Sequence, residues 1–156
     1  MNNVPEGRWR RGVVDVMGAL REMNSQLSLL NHHVGLRLAL RDVDLDCIDL
    51  LARNGSQSPT ALARLAGLHP ATMTGILDRL ERDGWVVRER DQRDRRAVTI
   101  VLRPERGGEL YRLFGGMRAA VDDICADLDP EQLALIAGFL TQVAAAGGRE
   151  AEALGQ

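Results

Sequence analysis

Six consecutive residues, Asp91-Gln92-Arg93-Asp94-Arg95-Arg96, hold three arginines and two aspartates in a run too polar to fold inward. A guanidinium matches phosphate oxygens and suits a narrow, negatively charged minor groove better than other side chains do. Asp91 and Asp94 can hold neighbouring guanidinium groups through paired hydrogen bonds, so that an arginine projects from the tip instead of collapsing onto the surface. Upstream, Thr72, Thr74 and Arg79 share the polar face of an expected helix with Ala71, Gly75, Asp78 and Arg82. That face is small toward its N-terminal end, as a helix must be if its backbone is to approach base edges in a major groove about 12 Å wide. The chemistry indicated is recognition of nucleic acid. Two readings stay open: Arg79 can pair with Asp78 or Asp83, and Arg96 can pair with Asp94 and shape the loop, leaving Arg95 as the inserted residue.

Nothing comparable points to catalysis. The chain has no glycine-rich phosphate loop, no paired metal-ligand spacing and no nucleophile motif, so neither an enzyme nor a cofactor or metal is expected. Cys47 and Cys125 lie in expected helices without CxxC spacing or clustered histidines, which favours core packing in a reducing compartment over redox chemistry. No apolar run reaches the roughly eighteen residues a spanning helix needs, and no signal-type apolar segment opens the chain; a cytoplasmic location is expected. The formal net charge of −2 argues against a uniformly basic nucleic-acid binder, but its distribution does not. Residues 53–106 hold eleven arginines against seven acidic residues, and the remainder nine against fifteen. A basic patch on an acidic body serves a protein that meets phosphate on one surface only. Every basic residue is an arginine, which the bias of a GC-rich genome explains more simply than selection for guanidinium.

The elements that must position these residues follow from periodicity and punctuation. Ser58 can cap a helix whose first position is Pro59, with Ala61, Leu62 and Leu65 on one face. Gly67 stops it and Pro70 opens the next, in which Met73, Ile76, Leu77 and Leu80 fall at i, i+3, i+4 and i+7. Gly84 ends that helix. Residues 85–90 and 97–102 then read as two strands around the charged loop, with Val98, Ile100 and Leu102 alternating. On either side lie long helices. Over residues 8–40, Val13, Val16, Leu20, Met23, Leu27, Leu30 and Val34 step by three and four, a heptad seam. A short helix over 45–53 is capped by Asp44. After Pro104, Leu110, Phe114, Met117, Val121, Ile124 and Leu128 form a second seam. Asp129-Pro130-Glu131-Gln132 restarts a helix to about residue 146 by a capping box, with Leu133, Ile136, Leu140 and Val143 aligned. Three seams expose more apolar surface than a monomer keeps in water, so a homodimer zipped by its terminal helices is expected, with two reading helices about 34 Å apart on a palindromic site.

The stretch GLHPATMTGILDRLERDGWVVRERDQRDRRAVTIVL resembles the winged helix-turn-helix of the MarR family of bacterial transcriptional regulators. Leu80, Gly84, Asp91, Asp94 and Arg96 match the family's helix-to-strand and wing motifs, and the likeness runs over residues 10–146. Gly75 stands where many members carry an arginine, so base readout is expected to rest on Thr72, Thr74 and Arg79. The resemblance implies a mainly α fold with a small β-hairpin wing in one MarR-type domain over 1–156: dimerisation helices over 8–42 and 104–146, and a winged DNA-binding lobe over 44–102. It also implies a repressor on double-stranded DNA. Ser58 and Thr60 would sit with the helix N-termini on phosphate, Arg93, Arg95 and Arg96 on backbone and minor groove, and Asp91 and Asp94 would shape the wing. Relatives release DNA when a small, often phenolic ligand enters a crevice beside the dimer helices; His32, His33 and Arg37, with Asn31, are the candidates here. The alternative is a winged helix that binds protein and not DNA.

Overall fold

The computed structural model describes residues 6–90 and 98–155. In chain order it contains α1 (Glu6–Leu38), α2 (Asp42–Asn54), α3 (Pro59–Leu65), α4 (Pro70–Arg82), β1 (Val86–Arg90), β2 (Val98–Leu102), α5 (Pro104–Leu113), α6 (Gly115–Cys125) and α7 (Pro130–Leu154). This is the mainly helical fold with a small antiparallel hairpin that the sequence leads one to expect. The chain divides into two compact units, Met1–Leu45 and Asp46–Gln156.

In the first unit α1 runs for 33 residues. It ends two residues earlier than its apolar pattern suggests, at a reversal closed by the Leu40 N–H donating to the Gly35 carbonyl at 2.9 Å. Ala39 occupies the left-handed position there, at φ 55°, in the Schellman arrangement that glycine more often completes. A Cβ on Gly35 would lie 2.9 Å from the Leu40 carbonyl oxygen and 3.2 Å from Leu45 Cδ1. Val34, Leu40 and Leu45 are buried around this corner. Asp44 is not the N-cap of the following helix, because α2 already starts at Asp42. From the first turn its carboxylate reaches back to accept the Arg41 N–H at 3.0 Å, which is half of a capping box. Higher on α1 the seam is open: Val13, Val16 and Met23 each keep more than 40% of their surface.

The second unit is built around one buried cluster. Cys47, Ile48 and Leu51 come from α2, Leu62 and Ala63 from α3, Met73, Ile76, Leu77 and Leu80 from α4, and Trp85, Val86 and Ile100 from the hairpin. The α4 stripe is the one its spacing predicts. In α3 the buried pair is Leu62 and Ala63, whereas Leu65 is exposed; so short a helix takes its rotation from what it packs on, here α4 and β2. Both helices of this pair end in Schellman turns with glycine at positive φ, Gly67 at 64° and Gly84 at 75°. In each, the next N–H closes the turn: Leu68 onto Ala63 at 2.9 Å and Trp85 onto Leu80 at 2.8 Å.

Beyond the hairpin the single helix expected after Pro104 is two, α5 and α6, meeting at Phe114. Gly115 and Gly116 follow at once, and paired glycines are a usual cause of such a break. The capping box that opens α7 is present in full: Asp129 Oδ1 accepts from Gln132 N at 2.8 Å, and Gln132 Oε1 accepts from Asp129 N at 3.0 Å. The helix then continues past Gly147 and Gly148 to Leu154, through a run of Ala and Glu whose helix propensity outweighs two glycines. No residue of α5, α6 or α7 is buried. Among the described residues no helix is long and apolar enough to cross a membrane.

Candidate nucleic-acid interface

The reading helix is placed from three sides. Its start is fixed by His69, whose Nδ1 accepts the Ala71 N–H at 3.2 Å ahead of Pro70. Its inner face is held by the buried stripe. Its end is held to the hairpin by Arg88 on β1: Nη2 lies 2.6 Å from Asp78 Oδ1, Nη1 lies 2.5 Å from Glu81 Oε2, and the Arg88 N–H donates to Glu81 Oε1 at 3.2 Å. The hydrogen bond to Asp78 is the largest influence that raises the Arg88 pKa above its ordinary value; desolvation opposes it, and Glu81 adds to it.

What α4 leaves to solvent is the face the sequence marks. Thr72, Thr74 and Gly75 are exposed, and a Cβ at Gly75 would meet nothing within 4 Å. The Thr74 hydroxyl donates to the Pro70 carbonyl at 3.0 Å, so it is left with lone pairs and a methyl to offer. Asp78 pairs with Arg88, and Asp83 with Arg82 at 3.1 Å. Arg79 itself is half-buried.

β1 and β2 are antiparallel in the register Val86↔Leu102 to Arg90↔Val98. Asp91, Arg93, Asp94, Arg95 and Arg96, which the sequence marks for the wing, lie outside the described residues. The base of the hairpin is anchored twice. Gln57 and Ile100 exchange both backbone hydrogen bonds, at 3.2 and 2.7 Å, which joins β2 to the residue before the α3 cap. Trp85, fully buried, accepts the Arg103 N–H at 2.9 Å and carries the Arg106 guanidinium 4.0 Å above its ring. At the entrance to α3 the Ser58 hydroxyl accepts the Ala61 N–H at 3.2 Å, as a cap should, and Thr60 is exposed.

The residues marked for an effector lie in the first unit. His32 Nδ1 is 3.3 Å from Asp42 Oδ1, its ring 6.1 Å from that of His33, and His33 and Arg37 are exposed. Among the described residues no group of three or more His, Cys, Asp or Glu side chains could hold a metal ion. Cys47 is buried and Cys125 half-buried, and neither is bridged in a disulfide. Sequence reasoning did not find His69, Gln57 or Arg88. A histidine before proline carries a weak capping signal. A one-residue bridge and an ion pair across the Gly84 turn leave no periodic trace.

Two helices joined at Gly67, the second with an open small-residue face and a hairpin beside its C-terminal end, define a winged helix-turn-helix. Comparison with known proteins agrees. The model of the MarR family matches residues 40–98. The HTH-type transcriptional regulator YcgE of Bacillus subtilis is 31% identical over 87% of this chain and 88% of its own. The HTH-type transcriptional repressor YetL of Bacillus subtilis is 26% identical over 78% of this chain and 74% of its own. Among solved structures, NadR in complex with 4-hydroxyphenylacetate superposes with a TM-score of 0.61 at 30% identity, covering 81% of this chain and 89% of that one. The chain belongs to the MarR family and is a DNA-binding transcriptional regulator.

Proposed function

We propose that the protein is a homodimeric repressor that holds a palindromic operator through two α4 helices and two wings, and lets go when a small aromatic molecule binds. The observation that carries this reading is the division of α4 into a fully buried stripe and an open face with room at Gly75 for a close partner. Thr72, Thr74 and Arg79 face the major groove. Arg93, Arg95 and Arg96 engage backbone and minor groove, with Asp91 and Asp94 shaping the wing. Ser58 and Thr60 bring the α3 N-terminus to phosphate, Ser58 through its cap, since its oxygen is already engaged with Ala61. Residues 44–102 form the DNA-binding lobe, and residues 8–42 and 104–146 supply the helices that pair. The exposed apolar residues of α1, α6 and α7, among them Val13, Val16, Met117, Val121, Leu133 and Ile136, support pairing with a second copy. A repressor named among the relatives, and a phenolic ligand bound to NadR, support repression and release by a small aromatic effector near His32, His33 and Arg37. Work on genomic DNA places the protein in the cytoplasm.

The test is selection of bound sequences from a random duplex pool, followed by binding of the chosen site against salt. If three wing arginines per protomer engage, about six contacts per dimer, the logarithm of the affinity falls with the logarithm of salt at a slope near −5. Arg95→Ala with Arg96→Ala lowers affinity for all sequences and leaves the dimer intact by sedimentation. A nearly flat salt dependence, with no enriched site, replaces this reading with that of a protein-binding winged helix.

A further inference from the structure

We propose that Arg88 is a positioning residue for DNA binding, one that touches no DNA but clamps Asp78 and Glu81 and offsets half of the negative charge they would otherwise set against phosphate at the reading face. This rests on the DNA-binding reading above. Asp78 lies four residues after Thr74 and three after Gly75, so it belongs to the face that meets the groove, and 61% of its side chain is exposed. An uncompensated carboxylate there repels the duplex. Arg88 answers it with one terminal nitrogen and Glu81 with the other, while its own N–H takes a second oxygen of Glu81. Its side chain is 30% exposed, the least of the three, so the cation sits under the carboxylates and is poorly placed to reach a phosphate itself.

The clamp also sets the wing. Arg88 is the β1 partner of Ile100, and Ile100 exchanges backbone hydrogen bonds with Gln57 ahead of α3. Through residue 88, therefore, α4 is joined to a strand pair that is itself pinned to the start of the first helix of the motif. The angle between the reading helix and the wing is fixed by side-chain charge at one end and by backbone pairing at the other.

The experiment measures affinity for the selected site and for a random-sequence duplex by fluorescence anisotropy. The variants are Arg88→Ala, Arg88→Lys, Asp78→Asn with Glu81→Gln, and Arg88→Ala combined with both neutralisations. Arg88→Ala leaves one further uncompensated charge per protomer, two per dimer, and at about 7 Å from phosphate in water these make the expected loss roughly tenfold. The triple variant is expected to lie within about threefold of the variant that carries Asp78→Asn with Glu81→Gln alone, and Arg88→Lys to fall between wild type and Arg88→Ala. A smaller loss in the neutralised background than in wild type supports the clamp, since a residue that itself contacts phosphate costs as much in either background. A loss as large in the neutralised background as in wild type overturns it. Circular dichroism confirms that each variant is folded. Should the wild type bind no duplex at all, the DNA reading fails, and the clamp is judged by thermal melting alone: Arg88→Ala and Asp78→Asn must then be non-additive, and additive shifts refute it.

Discussion

Alanine placed at Gly84 and at Gly75 should move stability in opposite directions, although the two substitutions are chemically identical and only nine positions apart. At Gly84 the backbone φ is 75°, and an added Cβ would meet nothing within 4 Å. The cost is therefore conformational only, about 1–2 kcal/mol for an L-residue in the left-handed region, reduced by the roughly 0.4–1 kcal/mol that alanine gains by restricting the unfolded chain. The net expectation is a loss of about 1 kcal/mol. At Gly75 the residue is helical, and the added methyl again meets nothing within 4 Å, so alanine should stabilise by about 0.8–1 kcal/mol. Urea unfolding at one fixed protomer concentration separates the two, because association would otherwise shift the midpoint. With a urea slope of about 2 kcal/mol/M, the midpoints should part by about 1 M in total, with the slopes unchanged. A Gly84→Ala variant as stable as wild type refutes the left-handed cap, and a destabilised Gly75→Ala refutes the open face. The more stable Gly75→Ala should bind DNA more weakly, since the methyl occupies space left for the groove.

Other expectations are simpler to check. Ser58→Ala removes the acceptor of the Ala61 N–H and should cost about 1 kcal/mol in the same assay. Trp85→Ala empties the most voluminous fully buried site and leaves the Arg106 guanidinium without its ring; a loss of about 3–5 kcal/mol is expected, and near-wild-type stability would show that the site collapses at little cost. Thr74→Ala should change which sequences are enriched from a random pool while leaving affinity for random DNA unaltered, and an identical enrichment profile removes Thr74 from base readout. Sedimentation at micromolar protomer concentration should show a dimer, and Ile136→Arg in the exposed apolar row of α7 should shift it toward monomer.

Local patterning determined a large part of this protein. The 3.6-residue recurrence of Met73, Ile76, Leu77 and Leu80 marked the inner face of α4, because a helix has only one stripe to bury. Gly67, Gly84, Ser58 and Asp129 marked turns and caps, because their backbone or side chains satisfy groups that a helix end leaves unpaired. Alternation marked the hairpin, and the charged run between its strands marked the wing, whose residues lie outside those described. Tertiary structure decided what depends on groups that meet across a turn. The sequence does not say that Arg88 will reach back over Gly84 to Asp78 and Glu81, that Gln57 will pair with Ile100, or that Leu62 and Ala63, and not Leu65, will be covered in α3. Helix propensity decided the length of α7 against two glycines, and the glycine pair after Phe114 divided a seam whose apolar spacing runs on unbroken. A periodic pattern reports which face of an element is apolar; the rotation, ends and charged partners of that element are set by the surfaces it packs on.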